Sequence, residues 1–244
     1  MKKIIFLSFL LFIKYLAFTQ NLTHTMQRVI LLSTTDSTLF IYNYPVFSGT
    51  GETGYASRLN KQVTESLLPD SSVLKMLKKL DNIPENHRHE VQEITVSVTY
   101  QNDQILCLQT AIKTHASVTA NITGDMYYNT YSIASGNIYN LNNLFTTDLF
   151  EVVYHKYENA LSGKGVDLED FKRHLVNFGL LSGERCSGCF TLQIILNTFY
   201  DDAGPLPFEI TSNEIAHLIK PHSPIGMLYK TSSAGSEHHE HEHK

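Results

Sequence analysis

With 244 residues, of which 19 are basic and 24 acidic, the chain carries a net charge of −5 at neutral pH, which disfavours nucleic acid and anionic lipid as partners and suits a basic one. The length fits one large domain or two small intimate ones. There is no Trp, but 13 Tyr and 13 Phe supply the rings expected to build much of a core.

The N-terminus reads Met1-Lys2-Lys3, then an apolar run from Ile4 to Ile13, then Ala17-Phe18-Thr19 before Gln20. A basic start, an apolar stretch short for a bilayer and small residues before a polar segment describe a secretory signal peptide, cleaved before Gln20 or Asn21. The alternative is an uncleaved membrane anchor, against which Lys14 interrupts the apolar run. Cleavage removes three lysines, leaving 16 basic against 24 acidic residues and a charge of −8. Without a second long apolar stretch, no stable membrane span is expected in the mature chain, and localisation is periplasmic or secreted.

Strands are expected at Gln27–Leu32 and Thr38–Phe47, where β-branched and aromatic residues flank the turn Thr34-Thr35-Asp36-Ser37. Tyr55–Leu68 carries Leu59, Val63 and Leu67 at helical spacing, and Ser72 is read as the cap of a second helix through Leu80. Ile94–Tyr100 alternates large apolar groups with hydroxyls, the period-two pattern of a strand with one buried face. Asn102-Asp103 then turns the chain, and Ile105–Ile112 returns as the partner. A further strand follows through Tyr127, Asn129, Tyr131 and Ile133 to the turn Ser135-Gly136-Asn137. Helices are expected at Asp148–Leu161 and Leu168–His174, then a hairpin of Leu175–Leu181 with Cys189–Leu196. Pro205-Leu206-Pro207 is read as a break before a last strand at Phe208–Ile210, and Ser212 as the cap of a final helix to Ile219. The fold class is therefore α+β, antiparallel sheet(s) with helices packed on one face.

Chemistry-bearing motifs are sparse. The sequence holds no G-x-S-x-G elbow, H-E-x-x-H, phosphate loop or strand-borne G-x-G-x-x-G, so nothing argues positively for an enzyme, and no catalytic residue or cofactor is assigned. Asp201-Asp202 places two carboxylates side by side, an arrangement able to serve acid–base work when burial separates their pKa values. Cys186-Ser187-Gly188-Cys189 is a C-x-x-C, but it precedes a strand and not the helix whose dipole would stabilise a thiolate. The expectation is a Cys186–Cys189 disulfide at the hairpin turn, with Cys107 left as a buried thiol in its strand; idle thiols, a redox pair and a metal site are the alternatives. His87 and His89 would share one face of a strand, two ligands without a third. The tail from residue 222 to 244 is expected to be disordered, and His238, His239, His241 and His243 in it are competent to bind Zn²⁺, Ni²⁺ or Cu²⁺ loosely.

Several landmarks taken in order carry a family resemblance. They are Tyr44-Pro45, Leu59-Asn60, Val96–Tyr100, and Asn129 through Ser135-Gly136 to Leu141, Leu144 and Phe145. Phe190–Leu196, Tyr200-Asp201-Asp202-Ala203-Gly204-Pro205 and Phe208-Glu209-Ile210 complete the series. Over roughly Gln27 to Pro221 the chain resembles the extracytoplasmic pair named domain of unknown function 4163 followed by 3298. That pair forms the outer part of the anti-sigma-V factor, a lysozyme sensor, and is appended to some peptidoglycan deacetylases. The implied organisation is a signal peptide at 1–20, a first part at 21–90, a second at 91–221 and the tail at 222–244. No cytoplasmic sigma-binding segment precedes the apolar run and no deacetylase domain follows, so neither activity is expected here. The resemblance implies an exported binding module of the cell envelope, recognising a macromolecule such as lysozyme or a cell-wall glycan. A cell-wall hydrolase using Asp201, Asp202 or a histidine is one alternative, and a metal-binding protein working through the tail is another. Nothing in the pattern fixes an oligomeric state.

Overall fold

The computed structural model describes residues 22–49, 54–67, 75–84, 89–115, 122–183, 189–201 and 204–226. Six strands, β1 (Leu22–Ser33), β2 (Leu39–Gly49), β3 (Leu77–Leu80), β4 (Val91–Gln101), β5 (Ile105–His115) and β6 (Ile122–Ser132), form one sheet in the order β3-β1-β2-β4-β5-β6. Three more, β7 (Leu175–Ser182), β8 (Phe190–Asp201) and β9 (Gly204–Thr211), form a small antiparallel sheet in that order. The helices are α1 (Tyr55–Leu67), α2 (Leu141–Leu144), α3 (Leu149–Ser162) and α4 (Leu168–His174), with a 3₁₀ turn at Ala216–Leu218. The α+β class is as expected. The large sheet is mixed, because β2 and β4 run parallel from Leu39↔Val91 to Asn43↔Thr95.

The two faces of β5 lead to two cores. Leu106 and Leu108 join Tyr42, Tyr44, Ile94, Val96 and Tyr131 beneath α1, which contributes Leu59 and Val63. Ile105 and Cys107 face the other way, into a larger core shared with the small sheet and with α2, α3 and α4. The small sheet is in turn covered on its far side, where the Tyr157 ring of α3 meets Phe208 edge-on with centroids 4.9 Å apart. Each sheet thus carries helices on one face only.

The alternation in β4 does not run uninterrupted. The register shifts between Val98 and Tyr100, so that Val98 opposes Leu108 while Tyr100 opposes Cys107. One extra residue reverses the phase of a strand. Ile94 and Val96 therefore enter the core under α1, while Tyr100 enters the core between the sheets and packs edge-on against Phe190. The expected single buried face is two half-faces, one for each core.

Most landmark residues prove to be structural. Asn140 and Asn143 cap α2 reciprocally through side chain and backbone, and Leu141, Leu144 and Phe145 are buried behind them. Gly136 turns the chain with a φ of +75°, a conformation open to glycine, and Gln62 of α1 donates to its carbonyl at 2.8 Å. Asn60 of α1 serves β2 beyond the point where β4 stops pairing with it. Its Oδ1 accepts from the Phe47 N–H at 2.7 Å and its Nδ2 donates to the Phe47 carbonyl at 2.9 Å. Replacing Asn60 by Ala leaves both backbone groups without this partner. A loss of about 2 kcal/mol is expected by urea denaturation with an unchanged m value, since stranding part-buried polar groups costs more than the bonds themselves contribute.

Four expectations are corrected. The helix read from Ser72 to Leu80 is not there in its described part. Leu77–Leu80 is a strand, paired with Ile30–Ser33 of β1, and a leucine spacing of three in so short a segment yields to the pairing. Pro205 and Pro207 do not break the chain but lie within β9, opposite Tyr200 and Ile195. As an edge strand, β9 tolerates prolines, which lack the N–H a second neighbour would require. No α-helix runs from Ser212 to Ile219; the Ser212 hydroxyl accepts from the Phe190 N–H at 3.3 Å, and a 3₁₀ turn forms at Ala216–Leu218 instead. The tail does not begin at residue 222, because Ser223 and Ile225 are buried and Ile225 joins the larger core. The division at 90/91 crosses one sheet, with β1 to β3 before it and β4 to β6 after it.

Candidate functional site

The rows of the small sheet build the site. Its sheet-facing side carries Gly179, Gln193 and Glu209 in one row, then Leu181, Thr191 and Thr211 in the next. The first row is closed by the large sheet. Tyr128 of β6 lies so close to Gly179 that a Cβ there would meet its ring at 2.2 Å. Asn177 fastens the same residue by its backbone, accepting from the Tyr128 N–H and donating to its carbonyl at 2.7 Å.

A directional chain of hydrogen bonds crosses this interface. Gln109 Nε2 donates to the Tyr128 hydroxyl at 2.6 Å, the hydroxyl donates to Gln193 Oε1, and Gln193 Nε2 donates to the Glu209 carboxylate. The Tyr128 and Gln193 side chains are buried, so the chain satisfies groups that would otherwise be expensive to bury. It ends at an exposed carboxylate. The Glu209 backbone is held from α3, where the Tyr157 hydroxyl donates to its carbonyl and accepts from its N–H at 3.0 Å.

The second row stays open. Leu181, Thr191, Glu209 and Thr211, with Cys189 and the buried Phe190, line a groove of about 460 Å³. Among the described residues its surface combines one carboxylate and several hydroxyls with an apolar wall, a composition suited to holding a ligand.

Burial pushes the Tyr128 and Tyr131 phenols up to about 12 from an ordinary value of 10.0. Tyr128 is therefore a fixed donor in this chain at neutral pH. The folded protein holds these protons over a range in which the unfolded chain has lost them, so stability is intact below pH 10 and falls as pH rises toward 12. A denaturation series from about pH 8 to about pH 11.5 should show this fall, and Tyr128→Phe should flatten it. Equal slopes in the two proteins would contradict the assignment.

Cys107 is a free, buried thiol, as expected. Burial pushes its thiol up, Thr130 donates to its sulfur at 3.4 Å and the Leu180 N–H does so at 3.3 Å, so it is a packing group and not a nucleophile. Cys189 is disulfide-bonded and half-buried at the groove. Cys186 lies outside the described residues, as do Asp202, His87 and the tail histidines His238, His239, His241 and His243. His89 is exposed just before β4, and Asp201 ends β8 opposite Gly204. Among the described residues no three His, Cys, Asp or Glu side chains are grouped to hold a metal. No described helix is long and apolar enough to cross a membrane. Sequence reasoning treated Glu209 as a landmark and passed over Gln193. The available signal was a polar residue set within each apolar strand, Gln193 between Leu192 and Ile194 and Glu209 between Phe208 and Ile210.

No family model matches the sequence, and no curated protein matches it. Solved structures do. A DUF3298-family protein from Bacteroides fragilis is 11% identical with a TM-score of 0.54, the match covering 87% of this chain and 99% of that one. A DUF3298-family protein from Pseudomonas aeruginosa is 13% identical with a TM-score of 0.45, covering 82% of this chain and 95% of that one. On the first of these likenesses, the two-sheet arrangement that builds the groove is the fold of a DUF3298-type domain.

Proposed function

We propose that the chain is an exported binding module of the cell envelope, and that the groove beside Glu209 is where it engages a macromolecule, a basic protein such as lysozyme or a cell-wall glycan. The groove carries this reading. It is open, it mixes hydroxyls with an apolar wall, and its described lining holds a single carboxylate where acid–base hydrolysis would call for a converging pair. The N-terminal pattern supports export, with removal of residues 1–20, and the half-buried Cys189 supports a Cys186–Cys189 staple beside the groove.

The test is comparative. Immobilised protein and a Thr191→Trp variant, whose indole fills the groove, are exposed to envelope extract and the retained molecules identified by mass spectrometry and sugar analysis. The reading requires a ligand kept by the wild type and lost by the variant. Identical retention by both proteins would sink it.

A further inference from the structure

The described residues that line the groove bring one carboxylate and no cation. Lys156 pairs with Glu214 at 2.8 Å, and Glu214 also accepts from the Thr211 N–H and hydroxyl, so that carboxylate is fully occupied. Glu209 forms no ion pair among the described residues, and none of the described residues that line the groove is a lysine or arginine. Gln193 approaches one of its oxygens from within the protein, which fixes the carboxylate against the inner end of the groove. Leu181 and Phe190 lower the local polarity, so an opposite charge brought here is attracted more strongly than on open surface.

We infer that the groove takes a cationic side chain of a protein partner, a guanidinium or ammonium group paired with Glu209. Its aliphatic stem lies along Leu181, as long basic side chains bury their methylenes while presenting the charged head. The hydroxyls of Thr191 and Thr211 flank the position of the head group and accept its remaining N–H donors. This inference rests on the groove being the binding site of the module.

The full chain, ¹⁵N-labelled, is titrated with a tetra-arginine peptide and with its uncharged tetra-citrulline counterpart. The expected result is perturbation of the Thr191 and Thr211 amides and the Gln193 side-chain amide by the arginine peptide alone. Glu209→Gln keeps an oxygen for Gln193 but removes the charge, and should weaken binding about tenfold. Glu169→Gln, an exposed carboxylate on α4, should leave binding unchanged. Equal binding of citrulline, equal affinity of Glu209→Gln, or perturbation confined to other surfaces would overturn the inference. So would an N-acetylglucosamine trimer that shifts the same amides equally in wild type and Glu209→Gln, which would place an uncharged glycan in the groove. If the arginine peptide fails while Thr191→Trp still loses an envelope ligand, the ligand class is wrong and the binding reading stands. If Thr191→Trp loses nothing, the binding reading itself falls.

Discussion

Replacing Phe190 by Ala is expected to destabilise the protein by about 4 kcal/mol, the range found when a fully buried phenyl ring is removed. For a chain of this size the thermal midpoint should fall by roughly 8–16 °C. The ring is 2% exposed and meets Tyr100 of the large sheet and Phe145 after α2, both edge-on, with centroids 6.1 and 6.2 Å away. One side chain therefore joins both sheets and a helix, and no neighbour on a regular strand collapses easily into the space. Phe190→Leu keeps most apolar volume and loses the ring-edge contacts, so a smaller loss of roughly 1–2 kcal/mol is expected. Calorimetry on both variants decides it; an Ala variant no less stable than Glu169→Gln would show that the two sheets are not joined through this ring.

Gly179→Ala tests the opposite fault, too much volume. A methyl group at Gly179 would sit 2.2 Å from one carbon of the Tyr128 ring and 2.3 Å from the next, inside any real contact. Tyr128 cannot swing aside, because Asn177 fastens its backbone and Gln109 and Gln193 hold its hydroxyl. Separating the sheets locally should cost about 3 kcal/mol. In a Tyr128→Leu background the same methyl has room, and its added effect should drop below about 1 kcal/mol. Additive losses in the double variant would place the strain elsewhere.

The strands and the longer helices were legible because their apolar spacing matches what they bury. Leu149 and Val153 mark α3, Leu59 and Val63 mark α1, and the alternation through Val96 marks β4. What escaped was settled by distant partners. Leu77 and Leu80 satisfy helix and strand spacing alike, and only the edge offered by Ile30–Ser33 chooses between them. Ser212 has the chemistry of a helix cap, but the Phe190 N–H claims its hydroxyl. The parallel seam of β2 with β4 and the phase reversal before Tyr100 have no local signature. The site was read least well, since Glu209 acquires its position from Gln193 on the next strand and Gln193 from Tyr128 on the other sheet.

The parallel seam also bears on how the chain assembles. β1–β2 and β4–β5 are antiparallel pairs joined by tight turns, the first held by Ser33 and Thr38, the second by the Asn102 side chain at 2.8 Å from two backbone N–H groups. Such hairpins close in microseconds. Joining Leu39 to Val91 instead closes a loop that contains α1 and β3, and its entropy must be spent before any seam contact repays it. The hairpins should form early and the seam late, so substitutions at Ile41 or Ile94 should speed unfolding far more than they slow folding.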